Sequence, residues 1–328
     1  MKWPPALRML ALLCLLPDAA PAAPVRVSFL DTDAAREDTL RSFAEAGCPP
    51  ANLATLRAAI LRDYEAPLVL DVAAFPPATD GFREFASIGD FVAALGTNQL
   101  AYLPRDFGMN CFDAALLLAA PDMDLAADPA ARDGPFFAVQ VTPDFHERMV
   151  PVASLGEARA VAHPARRAAG PAATEPAGFP EKHRMLEAAL YQFHPLPLGT
   201  TARTAAVETR KALPRHWQRC GIRFSDKIAL VLLHRASLES FLAVTDHAGV
   251  RLRRDAGWLY LEKTGGRGPF LRIDVQDPAD IAAYFSTMTW PDYPHNLLSV
   301  GDSLFLDVPL RSPSPCLLRF HRPATRGR

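Results

Sequence analysis

Five short runs crowd the stretch from Lys227 to Val275, and they constrain the fold more than any other feature: Lys227–Leu233, Ser240–Val244, Gly249–Arg253, Trp258–Glu262 and Pro269–Val275. Each has the length and residue types of a strand. Turn-forming Asp255-Ala256-Gly257 and Gly265-Gly266 punctuate them as hairpins do, which predicts an antiparallel sheet. Ser303–Val308 adds a late strand and Pro278–Met288 a helix. Upstream the pattern is mostly helical. After a short strand at Val25–Leu30, helices are expected over Thr32–Ala46 (capped by Asp31 or Thr32), Ala51–Tyr64, Asp90–Leu95, Cys111–Ala120 and Lys182–Tyr191. Phe136–Val141 reads as a strand, while residues 121–180 otherwise read as a Pro/Ala-rich loop or insertion. Helices first and an antiparallel sheet second is an α+β pattern.

Charge narrows the function classes. The chain has 328 residues, with 35 Lys plus Arg against 36 Asp plus Glu and a formal net charge of -1. Without a basic block, a partner held through phosphates is not expected, so nucleic acid is excluded. Hydrophobic residues make up 49%, enough for a core, and the 31 prolines argue for many loops instead of long coiled coils. Asp122, Asp124, Asp128 and Asp133 only loosely resemble a calcium loop, lacking its turn Gly and closing Glu. With no C-x-x-C pair and no H-E-x-x-H either, the sequence assigns neither metal nor cofactor.

The N-terminus reads as an address. Lys2 and Arg8 precede an apolar run, Met9–Leu16, which Pro17 breaks, and Ala20-Pro21-Ala22 supplies small residues for cleavage after Ala22. These are the parts of a secretory signal peptide. The expectation is an exported protein, periplasmic or extracellular, meeting the membrane only in transit, with one mature α+β domain over residues 23–328. Cys14 leaves with the signal. Cys48, Cys111, Cys220 and Cys316 then allow two bridges in three connectivities, or one bridge beside a working thiol.

Three residues carry the candidate chemistry. Cys111, after Asn110, heads an apolar helix, where unpaired N–H groups and the helix dipole favour thiolate and can hold an oxyanion. Its alternative is a small buried hydrophobe. His247 lies between two expected strands, placed to take a thiol proton and return it to a leaving amine; its alternative is a surface turn. Glu262 closes an apolar strand fifteen residues later, the distance of a strand, a turn and a return strand. That brings its carboxylate beside the imidazole, unless it is a solvated strand end paired with Lys263 or Arg253. Asp246 is a weaker orienter, since neighbours on an extended chain point apart. Gln99 and Tyr102 are candidates to assist the Cys111 N–H at the oxyanion or to line the substrate cleft, with Asn110.

A helix-borne Cys, a strand-borne His and a polar residue on the next strand follow the order of papain-like and NlpC-type thiol hydrolases. More closely, the chain resembles the domain of unknown function 4300 family of exported bacterial proteins. The resemblance rests on Asn110-Cys111-Phe112, Cys220-Gly221-Ile222-Arg223-Phe224-Ser225-Asp226-Lys227, His247-Ala248-Gly249-Val250, Leu259-Tyr260-Leu261-Glu262-Lys263 and Ala46-Gly47-Cys48. It spans residues 29 to 305 apart from the Ala/Pro-rich middle, and it implies no assigned substrate.

The resulting expectation is a papain-like or NlpC-like α+β fold, N-terminal helices on a C-terminal sheet, carrying a Cys111-His247-Glu262 hydrolase for peptide or amide bonds, with envelope or cell-wall peptides as substrates. Two rivals remain: an envelope binding or structural protein on the same fold with an inert or disulfide-locked Cys111, and a small-ligand carrier with the Ala/Pro-rich loop as a lid.

Overall fold

The computed structural model describes residues 24–65, 77–97, 109–126, 136–141, 147–154, 157, 181–190, 193–201, 203–237, 242–255, 257–264, 269–286 and 295–308. The expected signal peptide, Gln99, Tyr102, Asp128, Asp133, Cys316 and the Ala/Pro-rich stretch at 162–180 lie outside them.

In chain order the strands are β1 (Val25–Ser28), β2 (Arg83–Phe85), β3 (Phe136–Val141), β4 (Glu147–Val152), β5 (Phe193–Pro195), β6 (Ile228–Ser237), β7 (Leu242–Arg254), β8 (Gly257–Lys263), β9 (Phe270–Val275), β10 (His295–Val300) and β11 (Leu304–Val308). The α-helices are α1 (Asp33–Glu45), α2 (Pro50–Glu65), α3 (Ile88–Thr97), α4 (Cys111–Ala119), α5 (Glu181–Leu190), α6 (Ala205–Cys220) and α7 (Pro278–Phe285). Among the described residues the protein is therefore α+β, with seven α-helices around a nine-stranded antiparallel open sheet. The order is β11-β10-β6-β7-β8-β9-β1-β2, with β5 also paired to β7, and β3 and β4 form a separate hairpin.

Strand alternation divides the core into two. One face presents Leu230 and Leu232 of β6, Ala248, Val250 and Leu252 of β7, and Leu259 and Leu261 of β8. These pack against Phe43, Leu56, Leu116, Leu186 and Trp217 from α1, α2, α4, α5 and α6. The opposite face presents Val231 and Leu233 of β6, Tyr260 of β8 and Ile273 of β9, covered by Phe91 of α3 and by Ile281, Tyr284 and Phe285 of α7. The sheet is thus the middle layer of three, buried on both sides.

Two features differ from the sequence expectation. The strand expected at Val25–Leu30 is present as β1, but it joins the main sheet and with β2 completes one edge, Arg26 lying opposite Asp274 of β9, so the sheet is not confined to the C-terminal part. The runs expected as two strands on either side of His247 are one strand, β7, whose register against β6 shifts between Leu233 and His234. Leu233 pairs with His247 and His234 with Thr245, so Asp246 is the extra residue of a bulge. His247 therefore lies within a strand and not in a turn.

Helix α4 is buried along its whole length, from Cys111 to Ala119. Its first N–H groups have no partner within the helix, and so far from bulk solvent they favour protein acceptors. Asn110 meets that need: its side chain accepts from the Asp113 N–H at 2.8 Å, and Asp113 accepts from the Asn110 N–H at 2.9 Å, a reciprocal capping box.

Candidate active site

Cys111 occupies the first helical position of α4 and belongs to the larger core, with 8% of its surface open. It is a free thiol, as are Cys48 and Cys220, so no bridge among these three removes it. His247 projects from β7 toward the opposite core, where its ring meets Phe285 edge-on at 5.8 Å. Helix and ring meet at an interruption in the sheet. β7 borders β8 from Gly249 to Arg254 and β5 from Leu242 to Val244, and over 245–248 no described strand pairs with it on that edge. A bulged strand beside such a gap can aim a side chain past the sheet edge, which accounts for a sulfur from one layer reaching an imidazole on the other.

Glu262 lies on β8 opposite Gly249 of β7. Its Oε2 lies 2.7 Å from His247 Nε2 and accepts from the Tyr260 hydroxyl at 2.5 Å; its Oε1 accepts from the Tyr284 hydroxyl at 2.6 Å. A buried carboxylate is tolerated only when its oxygens are engaged by donors, and here both are. With Nε2 committed to Glu262, Nδ1 is the ring nitrogen left for the sulfur.

The electrostatics follow from this packing. Burial opposes a charge on His247, but Cys111 and Glu262 outweigh it, through their charges and through hydrogen bonds to the ring. The imidazole is held well above its ordinary value of 6.5. Tyr260 is pushed well above its ordinary value of 10.0 by burial and by the charge of Glu262, so it stays a neutral donor.

A second Cys–His pair supplies the contrast. His216 Nε2 lies 3.6 Å from Cys220 Sγ on α6, but it also bonds the Ala189 carbonyl at 2.7 Å. Burial pushes the His216 imidazole down to about 4 and the Cys220 thiol up to about 12. Cys48 is pushed up to about 11 by burial and by Asp122. Proximity of sulfur and imidazole alone therefore does not favour an ion pair. At His247, by contrast, a carboxylate stands behind the ring.

The three residues picked from sequence as catalytic are thus brought together. Asn110 caps α4 through its side-chain oxygen, a structural task distinct from the substrate role expected for it. Asp246 turns to Arg235 at 2.6 Å and away from the ring. Glu262 is not the solvated strand end of the alternative: Lys263 instead pairs with Asp63, its Nζ 3.0 Å from Oδ2. Asp124, considered for a cation, receives Arg223 Nε at 3.0 Å. Tyr260 and Gly249 lie within the motifs of the resemblance but have no site role in the sequence reading, and Tyr284 has no place in it. Tyr260 was within reach, because a residue two positions before Glu262 shares its strand face; Tyr284 left no local signal.

No family model, no curated protein and no solved structure matches this chain.

Proposed function

We propose that the protein is a cysteine-dependent hydrolase of amide or thioester bonds, with Cys111 as nucleophile, His247 as proton carrier and Glu262 holding the imidazole. The observation that carries the reading is the buried His247 ring, held between Cys111 and Glu262 and kept protonated above its ordinary range. In the first half-reaction the Cys111 sulfur bonds to the substrate carbonyl carbon, and the oxyanion takes the Cys111 N–H at the head of α4. His247 gives its proton to the leaving nitrogen or sulfur as the bond to carbon breaks, leaving a thioester on Cys111. Water then attacks that thioester, His247 takes the water proton, and the acid product leaves with the thiol–imidazole pair restored. Tyr102 and Gln99 belong to this proposal as further oxyanion or cleft residues.

The finer fold reading, a papain-like or NlpC-like arrangement in a member of the domain of unknown function 4300 family, is part of the same proposal. So is export, which makes envelope or cell-wall peptides the substrate class. The order helix Cys, strand His, strand Glu supports it.

Iodoacetamide labelling tests the mechanism. Cys111 should react faster than Cys48, Cys220 or Cys316, and His247→Ala should slow it by about tenfold or more. Labelling at equal rates, unchanged by that substitution, would rule the mechanism out.

A further inference from the structure

Glu262 is held from two different elements, and this goes beyond what orienting one imidazole requires. Tyr260 approaches Oε2 from the same strand at 2.5 Å, and Tyr284 approaches Oε1 from α7 at 2.6 Å. We propose that Tyr260 and Tyr284 are positioning residues of this site, fixing both oxygens of Glu262 and through them the orientation of the imidazole that faces Cys111. The proposal rests on the triad reading above.

The geometry supports it in three ways. Tyr260 and His247 share one carboxylate oxygen, so any turn of the Glu262 side chain that loses one contact loses both. Tyr284 takes the other oxygen and stops that turn. Gly249, directly opposite Glu262, leaves the space Tyr260 needs: a Cβ there would stand 2.5 Å from the Tyr260 hydroxyl oxygen. Phe285 closes the arrangement, its ring 5.8 Å from both the His247 and the Tyr260 rings. These contacts come from α7, β7 and β8, so the clamp is a product of packing and not of one local turn.

A charge consequence distinguishes the clamp from ordinary core packing. Each hydroxyl spreads part of the Glu262 charge. Removing one frees the carboxylate to turn from the ring, and the opposite charge and hydrogen bond that favour the protonated imidazole are weakened. Among the described residues, Cys111 from α4 and Glu262 from β8 reach His247, and His247, Tyr260 and Tyr284 reach Glu262.

The test is an NMR titration of the full chain with labelled histidine, for the wild type, Tyr260→Phe, Tyr284→Phe and Gly249→Ala. The His247 midpoint should fall by about half a pH unit or more in each, because a carboxylate no longer fixed engages the ring less. Gly249→Ala removes no donor, so its shift would report displacement of Tyr260 alone. A midpoint that stays put or rises in variants that fold overturns the proposal, even if they are less stable. In the unsubstituted protein, the same geometry predicts two tyrosine hydroxyl protons that exchange slowly with water; their absence would overturn it too. If Cys111 proves no more reactive than Cys48 or Cys220, the hydrolase reading fails while the titration still reads the clamp.

Discussion

His247 Nε2 and Glu262 Oε2 lie 2.7 Å apart with side chains 10% and 0% exposed, so this ion pair is shielded from water almost completely. His247 sits well above its ordinary value of 6.5 in the folded protein. The folded state therefore holds a proton that the unfolded chain has lost. That stabilisation is fully present below about pH 6.5 and disappears as pH rises through the folded value. Glu262→Gln removes the carboxylate and should cost about 3–5 kcal/mol at low pH, the usual cost of breaking a buried pair. The gap between variant and wild type should narrow as the solution becomes alkaline. Thermal unfolding of both proteins as a function of pH measures it, and a gap independent of pH would contradict the assignment.

The other buried imidazoles behave in the opposite sense. Burial holds His183 and His216 at about 4, His234 at about 3, and His194 well below 6.5. All four are neutral in the folded protein where the unfolded chain would protonate them, so their contribution is present above about pH 6.5 and lost as pH falls toward 4. Asp63 works against this trend, because burial raises it to about 6. Near pH 5, unfolding should take up about four protons at these histidines and release about one from Asp63, a net uptake of about three. Calorimetry in two buffers of different ionisation heat reads the number directly. Zero uptake, or a net release, would be the contrary result.

Beside Glu262, the last residue of β8 makes a second buried pair. Lys263 Nζ lies 3.1 and 3.0 Å from the two Asp63 oxygens, each side chain is 1% exposed, and the contact ties α2 to the strand that carries the site. Asp63→Ala leaves an ammonium in the core without its carboxylate and should cost about 3–5 kcal/mol. Replacing both ends with apolar side chains, Asp63→Leu with Lys263→Met, should recover most of that loss, since the desolvation cost goes with the charges. Urea unfolding of the single and double variants gives the comparison. A double variant no more stable than Asp63→Ala would show that the pair contributes more than charge compensation.

Local patterns in the sequence carried the parts of this fold that depend on near neighbours. The β8 hairpin and the approach of Glu262 to His247 were legible because fifteen residues suffice for a strand, a turn and a return strand. Continuity of β7 through His247 was hidden, since a bulge at Asp246 breaks the alternation on which strand reading relies. Helix α6 was also hidden: Pro214 stands inside it, and an interior proline ordinarily signals a break. Its end was readable in Cys220-Gly221, because Gly221 adopts the left-handed conformation (φ 62°) that closes many helices. No local signal placed β1 between β9 and β2, or carried Tyr284 on α7 to Glu262. Those depend on which faces a sheet of this order leaves to be covered.

Asn110 is where the two levels of reading give different experiments. As a substrate contact, its removal would alter binding and leave stability untouched. As the cap of α4, it satisfies the Asp113 N–H at the head of a largely buried helix, and Asp113 returns the contact. Asn110→Ala should then lose about 1 kcal/mol, within the range seen when a polar cap is truncated. It should also loosen the first turn, where Cys111 sits, and slow iodoacetamide at that sulfur. Asn110→Ser, which keeps a capping oxygen, should restore most of both. Urea unfolding and alkylation rates on the same three proteins decide the matter: stability and reactivity should fall together in the alanine variant and return together in the serine variant. An alanine variant with unchanged stability but altered reactivity would return Asn110 to the substrate side of the site.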